Sequence, residues 1–120
     1  MLNFNLDEQN AILLVQPQGK LQASDFLKLG DAVDQYVKEH GNLKGLIIET
    51  EKFPGWDNID AFKEHVKFIK KHKTFFAKIA LVTNSLFAEV VKTLIAPFVP
   101  PHIKHFPYDQ VEAAKQWILS

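Results

Sequence analysis

The sequence predicts an α/β fold, one domain over residues 1–120, with a mixed sheet of about five strands and about four helices. Three observations carry this. The apolar runs Leu46-Ile47-Ile48 and Ile79-Ala80-Leu81-Val82 show no alternation, as strands covered on both faces require. Segments of helical spacing separate these runs, and strands alternating with helices imply parallel pairing. The first two strand-like runs are joined only by Asp7-Glu8-Gln9-Asn10, so they form an antiparallel hairpin at one edge.

Leu2, Phe4 and Leu6 alternate with Asn3 and Asn5, the period of a half-buried strand. Ala11–Gln16 is the second strand, ended by Pro17 and Gly19. Ser24 is placed to cap the first helix, with Asp25 near its positive end. Phe26, Leu29, Val33, Tyr36 and Val37 share one face of that helix. Gly30 gives room for close packing on the sheet, and Gly41 is its C-terminal cap. The third strand runs into Glu49-Thr50-Glu51-Lys52-Phe53-Pro54-Gly55-Trp56, and Asp57 or Asn58 caps the next helix. Its buried stripe is expected at Ile59, Phe62, Val66 and Ile69. Ala77–Val82 is the fourth strand. A third helical segment follows from Leu86 to about Ile95, stopped by Pro97, Pro100 and Pro101. Ile103–Phe106 is the last strand. A helix starting near Tyr108 or Asp109 closes the chain, with Val111, Ala114, Trp117 and Ile118 as its apolar face.

Composition excludes several classes of function. Fourteen lysines balance 14 carboxylates and arginine is absent. A neutral domain without guanidinium forks is poorly equipped to hold nucleic acid. The absence of cysteine removes disulfides, thiol nucleophiles and cysteine-ligated metal. No apolar run approaches the ~20 residues needed to span a bilayer. The first residues lack the pattern of a signal peptide, and the expected location is the cytoplasm. His65 and His72 lie two helical turns apart, roughly 10 Å along the axis, too far to chelate one ion. His102 and His105 fall on opposite sides of a strand. No metal and no cofactor is therefore expected. Glu49 and Glu51 share strand parity but read as a solvated strand end, Ser85 reads as a helix cap, and no phosphate-binding glycine loop is present.

Several stretches together resemble a known family. They are Val15-Gln16-Pro17-Gln18-Gly19-Lys20-Leu21, Leu46-Ile47-Ile48-Glu49 running into Phe53-Pro54-Gly55-Trp56, Ile79-Ala80-Leu81-Val82-Thr83, Ile103-Lys104-His105-Phe106-Pro107 and Glu112–Ile118. The chain is similar over nearly its whole length to the STAS fold of anti-sigma factor antagonists. More narrowly, it resembles the SpoIIAA-like family of small stand-alone bacterial proteins. The resemblance implies a non-enzymatic interaction or regulatory domain. Antagonists of the sporulation type carry a phosphorylatable serine at the start of the second helix. Here Thr50–Ile59 contains no serine and Asp57 stands near that place, so the kinase switch does not carry over. A link to lipid-binding proteins of related topology makes a small apolar ligand conceivable.

The candidate binding residues are Phe53, Trp56 and Asp57 in the loop, and Leu86, Phe87, Val90, Val91, Leu94 and Phe98 in the third helical segment. Phe53 and Trp56 beside a Pro-Gly turn either form a binding platform or fold back over the second helix as a plug. The segment from Leu86 to Pro101 has only Glu89 and Lys92 as charges. Its apolar excess fits either an exposed patch or a deeply buried helix. The patch would meet a protein partner or a small apolar ligand. A homodimer through the same patch and peripheral contact with a membrane are variants. The alternative is a carrier holding a lipid or another apolar molecule in a pocket at that end of the sheet. The lysines Lys67, Lys70, Lys71 and Lys73 read as a solvated face.

Overall fold

A computed structural model describes residues 1–84 and 102–120. Five strands form one sheet in the order β1 (Leu2–Asp7), β2 (Ile12–Pro17), β3 (Leu43–Glu49), β4 (Phe76–Val82) and β5 (His102–Phe106). β1 pairs antiparallel with β2, and every other neighbour is parallel. Among the described residues there are three α-helices, α1 (Ala23–His40), α2 (Ile59–His72) and α3 (Val111–Leu119). The expected helical segment from Leu86 to Ile95, with Ser85 as its cap, lies outside the described residues.

The hairpin closes because Asp7 accepts from the Asn10 backbone at 3.1 Å and from its side chain at 2.8 Å. Those bonds favour the ionised form and hold the Asp7 carboxyl below its ordinary range. α1 starts earlier than Ser24 suggests. Gln22 is its N-cap residue, and the Asp25 carboxylate reaches back to accept from the Gln22 N–H at 2.8 Å. Ser24 is instead an exposed first-turn position. Gly41 ends α1 at φ 85°, donating to Val37 O at 2.9 Å. Phe26, Leu29, Val33 and Tyr36 are buried as their spacing requires.

α1 and α2 lie together on one face of the sheet. There Leu13, Val15, Leu46 and Phe76 meet Leu29, Val33 and Tyr36, with Phe68 of α2 packed against them. α3 covers the other face, joining Ile12, Ile47, Ala80, Val82 and Phe106 to Ala114 and Ile118. Gly45 sets the distance of α3. A Cβ built there would lie 2.6 Å from Ile118 Cδ1 and Cγ2, so only hydrogen lets the helix descend this far. The Lys78 ammonium donates to Trp117 O at 2.8 Å. This places a cation at the negative end of α3.

Two expectations about the helices are corrected. The buried face of α2 is not Ile59, Phe62, Val66 and Ile69. Ile59 is 65% exposed and Phe62 41%, and Val66 and Ile69 are half-buried. Ala61 and His72 are the buried positions of α2. They share a face with His65 and Phe68 at the spacing i, i+4, i+7, i+11. Gly30 does not serve packing on the sheet. Its missing Cβ makes space for α2, where His72 Cε1 would be 3.3 Å away and Phe68 Cδ2 3.8 Å.

Candidate functional site

The carboxyl ends of β2, β3, β4 and β5 gather the loops. β3 ends at Glu49, whose carboxylate accepts from the Gln16 side chain at 2.7 Å across the β2–β3 pair. Glu49 thus finds an amide partner on the neighbouring strand, and Glu51, beyond the strand, is exposed. The backbone after Glu49 is pinned from β4. Thr50 N–H donates to Val82 O at 3.1 Å, and Asn84 N–H donates to Glu51 O at 3.2 Å. Thr83 carries a further latch, since its carbonyl accepts from His105 Nε2 at 2.7 Å.

The loop from Glu51 to Asn58 then crosses to the start of α1. Leu21 N–H donates to Gly55 O at 2.9 Å, and Asp57 N–H donates to Leu21 O at 2.8 Å. This two-bond stitch is a parallel bridge between Leu21 and Trp56. Leu21 is buried beneath it. Gly55 turns the chain at φ 87°, a conformation that a side chain would resist. Asn58 caps α2, its side chain accepting from Ala61 N–H at 2.9 Å. Asn58, rather than Asp57, is therefore the capping residue.

Phe53 and Trp56, both singled out in the sequence, meet edge-to-face with ring centroids 5.0 Å apart. Trp56 also meets Phe62 edge-to-face at 4.9 Å. Its indole N–H donates to His65 Nδ1 at 3.0 Å. His65 in turn stacks on Phe26 of α1, with centroids 4.5 Å apart and planes 13° apart. Phe53, Trp56 and His65 are each half-buried, and Phe26 is buried. Burial disfavours the imidazolium and pushes His65 down to about 4. A neutral ring whose Nδ1 accepts from Trp56 carries its proton on Nε2. The indole lies against α2 through Phe62 and His65, and it is half-buried. Asp57 is exposed and joins the loop through its backbone. Leu86, Phe87, Val90, Val91, Leu94 and Phe98 lie outside the described residues.

His65 and His72, weighed in the sequence only as metal ligands, instead pack between α1 and α2, a role the sequence reading missed. His72 is buried, its ring nitrogens 2.9 Å from Phe68 O and 3.0 Å from an Asp34 carboxylate oxygen. The Asp34 carboxyl is half-buried. Desolvation opposes its ionisation, but the bonds to Lys71 and His72 prevail and hold it below its ordinary range. The signal was available in the sequence. Ala61, His65, Phe68 and His72 repeat with helical spacing, and Gly30 offers the matching gap on α1. Among the described residues no three metal-ligating side chains come together. No described helix is long and apolar enough to cross a membrane. A shallow cavity of about 440 Å³ opens elsewhere, lined by Asn5, Asp7, Leu14 and Lys115 among others. It shares no residue with the aromatic loop.

The sheet order, the antiparallel edge and the helices on both faces define a small α/β domain of the STAS type. The chain belongs to the SpoIIAA-like family, whose model matches residues 12–119. Among solved structures it is similar to an uncharacterized protein of the DUF3478 family with a SpoIIAA-like fold, from Shewanella loihica PV-4. The two share 17% identity at a TM-score of 0.75, over 98% of this chain and 92% of that one. No curated protein matches.

Proposed function

We propose that the protein is a non-enzymatic binding and regulatory module that works through its aromatic loop. Phe53 and Trp56 form the contact surface and Asp57 stands at its edge. Leu86, Phe87, Val90, Val91, Leu94 and Phe98 extend it as an apolar continuation in sequence. The observation that carries this reading is the cluster Phe53–Trp56–Phe62 at the end of β3. A stitched backbone holds Phe53 and Trp56, while Phe62, and Ile59 on the same helix, are exposed. Rigid aromatics on a fixed loop lose little entropy on docking, and such groups dominate binding surfaces. The loop has no serine, so recognition does not run through the phosphoserine switch of the sporulation antagonists. The partner is a protein or a small apolar molecule.

The test uses Trp117→Phe, which leaves Trp56 as the single tryptophan. Trp56 emission is expected to be quenched by acrylamide. A hydrophobic dye should bind and then be lost on Phe62→Ser with Ile59→Ser. A blue, unquenched Trp56 and no dye binding would sink the proposal. Native mass spectrometry of the purified protein separates the carrier reading, which requires a co-purified apolar ligand.

A further inference from the structure

The two edges of the sheet are built differently. β5 carries His102, Lys104 and His105 and is followed by Pro107. Charges and proline are common devices that keep an open edge from pairing with another chain. β1 has neither from Leu2 to Leu6, and it leaves Phe4 39% exposed.

Pairing with β2 fixes which backbone groups of β1 face outward. Met1 and Gln18 exchange both backbone bonds, each at 2.8 Å. In an antiparallel ladder bonded and non-bonded pairs alternate. Asn3, Asn5 and Asp7 therefore bond to β2 opposite Gln16, Leu14 and Ile12. Leu2, Phe4 and Leu6, opposite Pro17, Val15 and Leu13, turn their N–H and C=O groups to the open edge. Pro17 has no N–H to offer and occupies a non-bonded position, as this phase demands. Among the described residues nothing bonds to those outward groups.

The same stretch reads identically in both directions, Leu2-Asn3-Phe4-Asn5-Leu6. Two copies placed antiparallel and centred on Phe4 set Phe4 against Phe4, Leu2 against Leu6 and Asn3 against Asn5. Each outward-bonding residue then faces another outward-bonding residue, so every free N–H on this stretch meets a carbonyl. Both faces match as well. Leu2 and Leu6 belong to the apolar layer under α1, and leucine meets leucine across the new seam. The asparagines lie on the opposite face in closely spaced non-bonded pairs, within reach of one another's amides. A twofold interface must be self-complementary, and a palindromic edge strand meets that condition in both hydrogen bonds and side chains.

We infer that the protein pairs with a second copy of itself through β1, antiparallel and centred on Phe4, joining two sheets into one. The pairing does not depend on the aromatic loop. One strand pair is smaller than the ~1,200–2,000 Å² typical of stable complexes, so the dimer is concentration-dependent.

Sedimentation equilibrium over micromolar to millimolar protein is expected to show reversible monomer–dimer behaviour. Phe4→Pro removes an outward N–H and leaves the ladder to β2 intact. It should weaken the dimer by at least about tenfold, with an unchanged circular dichroism spectrum. Cysteine scanning fixes the register in a chain with no native thiol. Under oxidation Phe4→Cys alone should cross-link. Asn3→Cys should cross-link with Asn5→Cys and not with itself. A monomer at every concentration, a dimer indifferent to Phe4→Pro, or Asn3→Cys cross-linking to itself would each overturn the inference.

Discussion

Among the described residues, one face of the sheet is covered by 18 residues of α1 and 14 of α2, the other by 9 of α3. The broad face contains polar groups within its packing. His65 and His72 sit between α1 and α2, each with hydrogen-bond partners and an aromatic stack. The narrow face holds its helix by close approach, with Ile118 set against the bare Cα of Gly45. Two long helices spread their burial over many contacts, so a pair of imidazoles is tolerated where their bonds are satisfied. A short helix concentrates its burial in a few positions and depends on the exact fit of each.

The sharpest way to break this contrast is Gly45→Ala. Its Cβ would overlap the side chain of buried Ile118, and the expected loss is about 2–3 kcal/mol in urea denaturation. On an Ile118→Ala background the same change should cost under about 1 kcal/mol. Equal costs on both backgrounds would show that the close approach is not the constraint.

Next in size is acid sensitivity on the broad face. The folded His65 is pushed down to about 4, below its ordinary value of 6.5, so the folded state binds fewer protons than the unfolded chain. Its contribution is fully present above pH ~6.5, falls as pH drops toward ~4, and changes no further below that. The expected loss between pH ~7 and ~4.5 is roughly 2 kcal/mol more in the native protein than in His65→Gln. Protonation of folded His65 also removes the acceptor for the Trp56 indole, so native Trp56 fluorescence should shift only as pH falls through about 4. A variant with the same acid slope as the native protein would contradict this account.

The smallest effect separates the two partners of Asp34. Asp34→Asn weakens the bond to buried His72 and should cost about 1 kcal/mol. Lys71→Ala removes only an exposed ion pair at 3.1 Å and should stay within about 0.5 kcal/mol. If Lys71→Ala proved the costlier change, the seam between α1 and α2 would be held from outside.

Much of the fold was legible because it is written in local patterns. The hairpin follows from its short polar connection, the parallel strands from unbroken apolar runs, and the end of α1 from Gly41. α2 was misread because it carries two stripes of suitable spacing. Hydropathy selects Ile59, Phe62, Val66 and Ile69, while the packing selects Ala61, His65, Phe68 and His72. An imidazole scores as polar, but with one face stacked on a phenylalanine and a ring nitrogen hydrogen-bonded it packs well between helices. The aromatic pair Phe53–Trp56 was legible as a unit. Its anchorage at Leu21 was not, because backbone bonds between distant loops leave no periodic trace. The apolar residues from Leu86 to Phe98 lie outside the described residues.

The chain carries one tryptophan for each face. Trp56 is anchored to α2 through His65, and Trp117 of α3 packs near Phe106 at 5.9 Å between ring centroids. Each single-tryptophan variant would therefore watch a different layer form in a stopped-flow trace. Coincident traces would mean that the two layers assemble in one cooperative event. Separated traces would reveal which helix layer the central strands recruit first, and thus whether the α3 face waits for the rest of the sheet before it can close.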